Sequence, residues 1–224
     1  MSAVNVITID GPAGSGKSTI SRLLAAEIGY AYLDTGAMYR AIALAAKRAK
    51  VSLENSAGLM RLCENLNLRF VPDQDPPRLL MGDEDITEKI RNPEMDTRSS
   101  SISTVKEVRE AMCRLQREMA CRVQKGLVAE GRDMGTVVFP EAKPKFLLTA
   151  SLEERASRRH LELLARGKLF EKYEVMESLR ERDHQDETRA LAPLKRAHDA
   201  ILLDSTGMSI KEVVECMLSH MTSI

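Results

Sequence analysis

Strand-like and helix-like segments alternate along the chain, and this alternation predicts an α/β fold: a five-stranded parallel sheet wrapped by helices, with a small antiparallel β insert and a helical lid. Three observations carry the prediction. A run of β-branched residues opens the chain and stops at a glycine-rich turn, an amphipathic segment follows that turn at once, and the apolar rhythm switches to strict alternation near Leu66.

Residues 4–9, Val-Asn-Val-Ile-Thr-Ile, end at Asp10-Gly11-Pro12 and read as a buried strand. Residues 18–28 read as a helix closed by Gly29, residues 30–34 as a second strand, and residues 36–50 as an alanine-rich helix. Leu66, Leu68 and Phe70 then alternate with polar residues, Asp73-Gln74-Asp75-Pro76-Pro77 forms a turn, and residues 78–81 resume extended character. The antiparallel insert is placed at residues 64–92. Between residues 104 and 125, Val105, Val108, Met112, Leu115, Met119 and Val123 recur every three or four positions, giving one long amphipathic helix whose stripe is too short for a coiled coil. Residues 126–131, 145–150 and 201–204 complete the sheet. Residues 152–165, 173–182 and 209–220 are helical, and the Arg166-Gly167-Lys168 break makes residues 151–172 an arginine-rich lid on a single domain spanning residues 1–224.

Composition narrows the function. With 33 basic and 33 acidic side chains there is no excess positive charge to drive counterion release from nucleic acid, and aromatics at 4% offer few faces for stacking bases. The purely apolar run at residues 41–46 is far below the roughly 20 residues that span a bilayer. Neither nucleic acid nor membrane is an expected partner, and the start of the chain has no charged, apolar leader pattern, so a cytoplasmic location is expected. Cys63, Cys113, Cys121 and Cys216 show no zinc-type spacing. On one helix Cys113 and Cys121 would lie about 12 Å apart, beyond disulfide reach, so reduced thiols are expected.

The first chemical motif is Gly11-Pro12-Ala13-Gly14-Ser15-Gly16-Lys17-Ser18-Thr19, a full G-x-x-x-x-G-K-S/T phosphate loop directly after a strand and before a helix. Its glycines let backbone amides converge on phosphate oxygens and the helix start adds its dipole. Lys17 reaches the β- and γ-phosphates, and Ser18 can ligate Mg²⁺. ATP with Mg²⁺ is the implied donor. Phosphoryl transfer between two anionic nucleotides also needs several fixed cations. Arg40, Arg109, Arg132, Arg182 and Arg189 lie in five separate segments, while Arg155, Arg158, Arg159 and Arg166 gather on and after one helix. The second group is either a lid over the phosphates or a solvated face in which Glu154, Arg158 and Glu162 pair four residues apart.

The phosphate loop, Leu33-Asp34-Thr35-Gly36-Ala37-Met38-Tyr39-Arg40, Val108-Arg109-Glu110-Ala111, the run from Gly131 to Pro140 (GRDMGTVVFP), Glu181-Arg182-Asp183, Arg189-Ala190 with Ala192-Pro193-Leu194, and Leu203-Asp204-Ser205-Thr206 closely resemble the bacterial cytidylate kinase family, in order and over nearly the whole chain. The resemblance implies a nucleoside monophosphate kinase of the phosphate-loop class that transfers the γ-phosphate of ATP to CMP and dCMP, with Lys17, Arg132, Arg158 and Arg159 catalytic. It implies that Arg40, Arg132 and Arg182 hold the acceptor phosphate, that Ser100, Arg109 and Asp133 face the cytosine, that Asp186 and Arg189 hold the ribose, and that Thr35, where the family often carries serine, lines the CMP site. Asp133 either reads the base or orients Arg132. The family's small three-stranded insert and its lid coincide with the segments placed above, whereas Asp204 is not expected to bind metal. A guanine-reading Asn-Lys-x-Asp is absent, which argues against a GTP switch. All the implied acceptor residues come from one chain, so a monomer suffices.

Overall fold

The computed structural model describes residues 5–71 and 76–221. Val4 of the first predicted strand and Asp73-Gln74-Asp75 of the predicted turn lie outside the described residues. The elements run β1 (Val6–Asp10), α1 (Lys17–Ile28), β2 (Ala31–Asp34), α2 (Thr35–Arg48), α3 (Ser56–Glu64), β3 (Leu68–Val71), β4 (Arg78–Met81), β5 (Glu84–Asp85), α4 (Pro93–Ile102), α5 (Lys106–Cys121), β6 (Leu127–Gly131), a π-helical turn (Met134–Val138), β7 (Lys145–Thr149), α6 (Leu152–Ala165), α7 (Lys172–Thr188), β8 (Ile201–Asp204) and α8 (Ile210–Met221). They form two compact units, Met1–Tyr32 with Val123–Ile224, and Leu33–Arg122.

The first unit is organised by the five-stranded sheet, in the order β2-β6-β1-β7-β8. β1 pairs in parallel with β6, placing Asp10 opposite Gly131, and with β7, placing Asp10 opposite Leu147; β7 pairs in parallel with β8. All five residues of β1 are buried, as a central strand covered on both faces requires, and this is why the strand reads as a continuous apolar run rather than an alternating one. Ile7, Ile9, Val128, Phe146, Leu148 and Leu203 from the strands pack with Ile20 and Leu24 of α1 and Val213 and Met217 of α8 in one core. A second, smaller core joins α6 and α7 through Ala156, Leu163, Val175 and Leu179, with Ala13 of the phosphate loop packed into it. Gly167, at φ 68°, lets the chain turn out of α6, at the break predicted from the sequence.

In the second unit Asp34 caps α2 by accepting the Ala37 amide at 2.7 Å. α2 packs on α4 and α3 on α5. The β3-β4-β5 sheet is antiparallel, with Phe70 opposite Leu79 and Met81 opposite Glu84, so the predicted insert and its strands are present. Arg48 of α2 holds Glu84 of β5 with two bonds of 2.7 Å.

Several helical segments differ from the sequence reading. α3, α4 and the π-helical turn are additional, and α5 ends at Cys121, four residues short of the predicted helix, which leaves Val123 outside it. α4, Pro-Glu-Met-Asp-Thr-Arg-Ser-Ser-Ser-Ile, is poor in strong helix formers; it starts because Asn92 accepts the Met95 amide and Pro93 occupies the first turn, and it persists because Met95 and Ile102 are buried. α7 runs to Thr188, six residues beyond the predicted end, through a stretch without apolar periodicity. There Asp183 and Asp186 hold it by ion pairs to Arg155 and Arg132, partners distant in sequence. Among the four cysteines no disulfide forms, as expected.

The start of β6 depends on a close approach. A Cβ on Gly126 would lie 2.3 Å from Tyr30 Cε2. Gly126→Ala should therefore destabilise the protein by about 1–3 kcal/mol through overpacking. Combining it with Tyr30→Ala should recover part of that loss, measured as a non-additive double-mutant cycle in urea unfolding.

Candidate active site

The phosphate loop leaves the carboxyl end of the central strand, the position where open α/β sheets bind ligands. Gly11 is needed because a Cβ there would sit 2.0 Å from the Leu148 carbonyl oxygen. Gly16, at φ 90°, takes the left-handed turn that starts α1. The loop's carbonyls are engaged by cations. Lys17 Nζ donates to Pro12 O at 2.6 Å and to Ser15 Oγ at 3.2 Å, Arg155 Nη1 donates to Ala13 O at 3.1 Å, and Arg158 Nη1 lies 3.4 Å from Ser15 O. With its carbonyls occupied, the loop presents its amides to an anion.

Lys17 is buried, and burial drives its ammonium well below its ordinary pKa; the charges of Arg132 and Arg182 push the same way, while Glu130 and Asp186 oppose them. Glu130, also buried, accepts a hydrogen bond from the Tyr32 hydroxyl. Arg132 Nε donates to Asp186 Oδ2 at 2.7 Å. Burial disfavours the Arg132 charge, but Asp186 outweighs it and holds the guanidinium above its ordinary value. Asp186 is itself held below the usual carboxylate range: its burial is overcome by Arg132, Arg182 and Arg189. Arg189 lies 3.7 Å from both Asp186 and Asp133 and donates to Ala192 O. The result is a chain of alternating charge, Arg132–Asp186–Arg189–Asp133, around a cationic loop. Asp186 is thus the carboxylate that orients Arg132, and Asp133 faces Arg189.

Arg158 Nη2 donates to Ser205 O at 2.8 Å, its Nη1 to Ser205 Oγ at 3.1 Å, and its Nε to Glu154 at 3.0 Å. Arg159 and Arg166 pair with Glu162. Of the surface pairing that competed with the lid reading, Glu154–Arg158 forms but Glu162 takes Arg159 and Arg166, while Arg158 also ties the phosphate loop to the loop after β8. Asp204 Oδ1 accepts both the amide and the hydroxyl of Thr206. In the second unit Arg40 is held by Asp34 at 3.5 Å and Asp96 at 3.8 Å, and Arg109 Nη1 donates to Ser103 O. Thr35 starts α2, and Ser100 lies buried on α4 among serines whose hydroxyls bond back to helix carbonyls.

This geometry has a counterpart in sequence. The profile of the cytidylate kinase family matches residues 7–223. The chain belongs to that family. Cytidylate kinase of Citrifermentans bemidjiense is 47% identical over 98% of this chain and 95% of its own length, and that of Geobacter sulfurreducens is 49% identical over 96% and 91%. A solved structure of an uncharacterised protein from Eubacterium ventriosum, only 10% identical, superposes with a TM-score of 0.54 over 99% of this chain and all of that one, a likeness of fold.

Within this cytidylate kinase fold the phosphate loop, Arg132, Asp133, Arg158, Arg159, Arg182, Asp186 and Arg189 fall in the first unit, and Thr35, Arg40, Ser100 and Arg109 in the second. Sequence reading missed Asp10 and Glu130, and it placed Arg155 in the lid group without its bond to the phosphate loop. A signal for Glu130 was present: it is a carboxylate closing the apolar run Leu127-Val128-Ala129. Ser18 is exposed at the start of α1 and its hydroxyl has no hydrogen-bond partner among the described residues; among those residues no cluster of three His, Cys, Asp or Glu could hold a metal. A hard cation here fits Ser18 together with nucleotide oxygens. No helix among the described residues is long and apolar enough to cross a membrane.

The depressed Lys17 pKa makes its charge a burden on the nucleotide-free fold. A lysine with a depressed folded pKa contributes stability that is present above its unfolded pKa, about 10.4, and is lost as pH falls through the folded value. Lys17→Met should therefore raise the Tm of nucleotide-free protein at neutral pH, and the gap should narrow as pH is raised toward 10. A lower Tm for the variant would contradict this account of the loop.

Proposed function

We propose that this chain is an ATP:CMP phosphotransferase that moves the γ-phosphate of ATP to CMP or dCMP, releasing ADP with CDP or dCDP, and that it acts as a monomer in the cytoplasm. The observation that carries this reading is the buried cationic loop. Lys17 is buried there, with the charges of Arg132 and Arg182 further disfavouring its ammonium, and an entering polyphosphate relieves that burden.

In this reading the amides of Gly11, Pro12, Ala13, Gly14, Ser15, Gly16, Lys17, Ser18 and Thr19, except that of Pro12, which has no N–H, cradle the donor phosphates. Lys17 exchanges the Pro12 carbonyl for a phosphate oxygen. The acceptor phosphate is held by Arg40, Arg132 and Arg182, whose planar guanidinium groups suit bidentate phosphate recognition. Asp186 and Arg189 take the ribose, Thr35 lines the acceptor site, and Ser100, Arg109 and Asp133 face the base. One oxygen of the acceptor phosphate attacks the γ-phosphorus as the bond to the ADP oxygen breaks. Ser18 would hold Mg²⁺, which neutralises charge on the donor phosphates.

The lid reading, residues 151–172, has a physical requirement. Arg155 is buried and bonded to Ala150 O, Ala13 O and Asp183, so the first turn of α6 is a fixed root. Closure moves the part beyond that root, bringing Arg159 to the phosphates, and Arg158 joins it by giving up Ser205. Closing excludes water and spares ATP from hydrolysis.

With ATP and Mg²⁺, CMP and dCMP should be converted to diphosphates and AMP should not, by coupled assay; conversion of another monophosphate in preference to CMP would overturn the proposal. Lys17→Met should lose roughly 10²–10³-fold in kcat. Cytosine offers an N4 donor and an N3 acceptor, which suit a carboxylate and a guanidinium, whereas uracil meets them with reversed polarity at about 1–3 kcal/mol per unpaired group. Asp133→Ala should accordingly lower kcat/KM for CMP far more than for UMP. An equal loss would show that Asp133 serves Arg189 rather than the base.

A further inference from the structure

Asp10 is a buried carboxylate that the proposed chemistry does not use. It ends β1 immediately before Gly11, opposite Gly131 in the parallel register. Its two oxygens are divided between two consecutive amides: Oδ1 accepts from Met134 N at 2.9 Å and Oδ2 from Gly135 N at 2.8 Å. Those amides begin the π-helical turn Met134–Val138, directly after Arg132 and Asp133. Helix starts leave amides without partners inside the helix, and a carboxylate from another strand supplies them here.

The turn is also seated closely on β1. A Cβ on Gly135 would lie 2.9 Å from Thr8 Oγ1, two residues before Asp10 on the same strand, and 3.2 Å from Lys145 Cδ, so the turn has no room to approach or shift along that face. The contact joins the two segments that matter most in the first unit: the strand end that launches the phosphate loop, and the turn that presents Arg132 and Asp133.

We propose that Asp10 is a positioning residue for acceptor binding: by accepting the Met134 and Gly135 amides it sets Arg132 and Asp133 against the phosphate loop. The proposal rests on the CMP-kinase reading above. Burial pushes the Asp10 carboxyl up to about 6, with the two amides and Lys17 pulling it down and Asp133 adding to the rise. It is ionised at neutral pH, the state in which both oxygens accept. An apolar side chain there would leave both amides of the turn without an acceptor, so the carboxylate is what ties the turn to the strand end.

The test compares wild type with Asp10→Asn, whose amide can accept only one of the two N–H groups and opposes its own NH₂ to the other. The readouts are Tm, ATP dissociation constant by titration calorimetry, and kcat and KM for CMP at saturating ATP. Misplacing Arg132 and Asp133 should raise KM for CMP about tenfold or more and lower kcat, while the ATP dissociation constant stays within about twofold. A lowered Tm with native kinetic constants would make Asp10 merely structural and overturn the proposal. An equal loss of ATP and CMP affinity would overturn it too, by assigning Asp10 to the phosphate loop itself. If Asp10→Asn does not fold, Gly135→Ala pushes the same turn away from β1 through Thr8 and must show the same CMP-selective loss. Failure of wild type to phosphorylate CMP would sink the functional reading instead, and that arm is read first.

Discussion

Lys17 is buried inside the first unit with the charges of Arg132 and Arg182 acting on it, and keeping an ammonium there is the constraint to which the surrounding residues answer. Carboxylates stand against these charges. Asp186 holds Arg132 and feels the charge of Arg182, Glu130 offsets Lys17, and Asp133 and Asp186 flank the further cation Arg189. The balance is incomplete at Lys17, which remains far below its ordinary pKa. An anion of high charge completes it, which is the physical sense in which the loop is a polyphosphate site before any polyphosphate arrives.

A second use of charge is to hold backbone. Arg155 fastens α6 to the phosphate loop and, through Asp183, to α7. Arg158 bridges the loops after β1 and β8. Asp34 caps α2 and contacts Arg40, so one carboxylate both starts the helix and orients a phosphate-binding candidate upon it. Of the arginines on and after α6, Arg155 and Arg158 are bound to main-chain carbonyls, and Arg159 and Arg166 pair with Glu162.

Local pattern was sufficient for the sheet strands, for α1, α6 and α8 to within a residue or two, and for the phosphate loop, because each is dictated by near neighbours: apolar period, glycine at a left-handed turn, a lysine following the loop. The GRDMGTVVFP run marked the family from sequence alone. Tertiary structure alone decided the rest. α4 and the end of α7 are helical through caps and ion pairs to distant residues that no period announces. For Asp133 the sequence left two roles, reading the base or orienting Arg132; the fold gives Arg132 a carboxylate partner in Asp186, 54 positions away. Asp10 and Glu130 looked like a turn residue and a strand residue. Their roles exist only because parallel pairing brings the ends of β1 and β6 side by side, and strand pairing is a long-range contact that residue order does not encode locally.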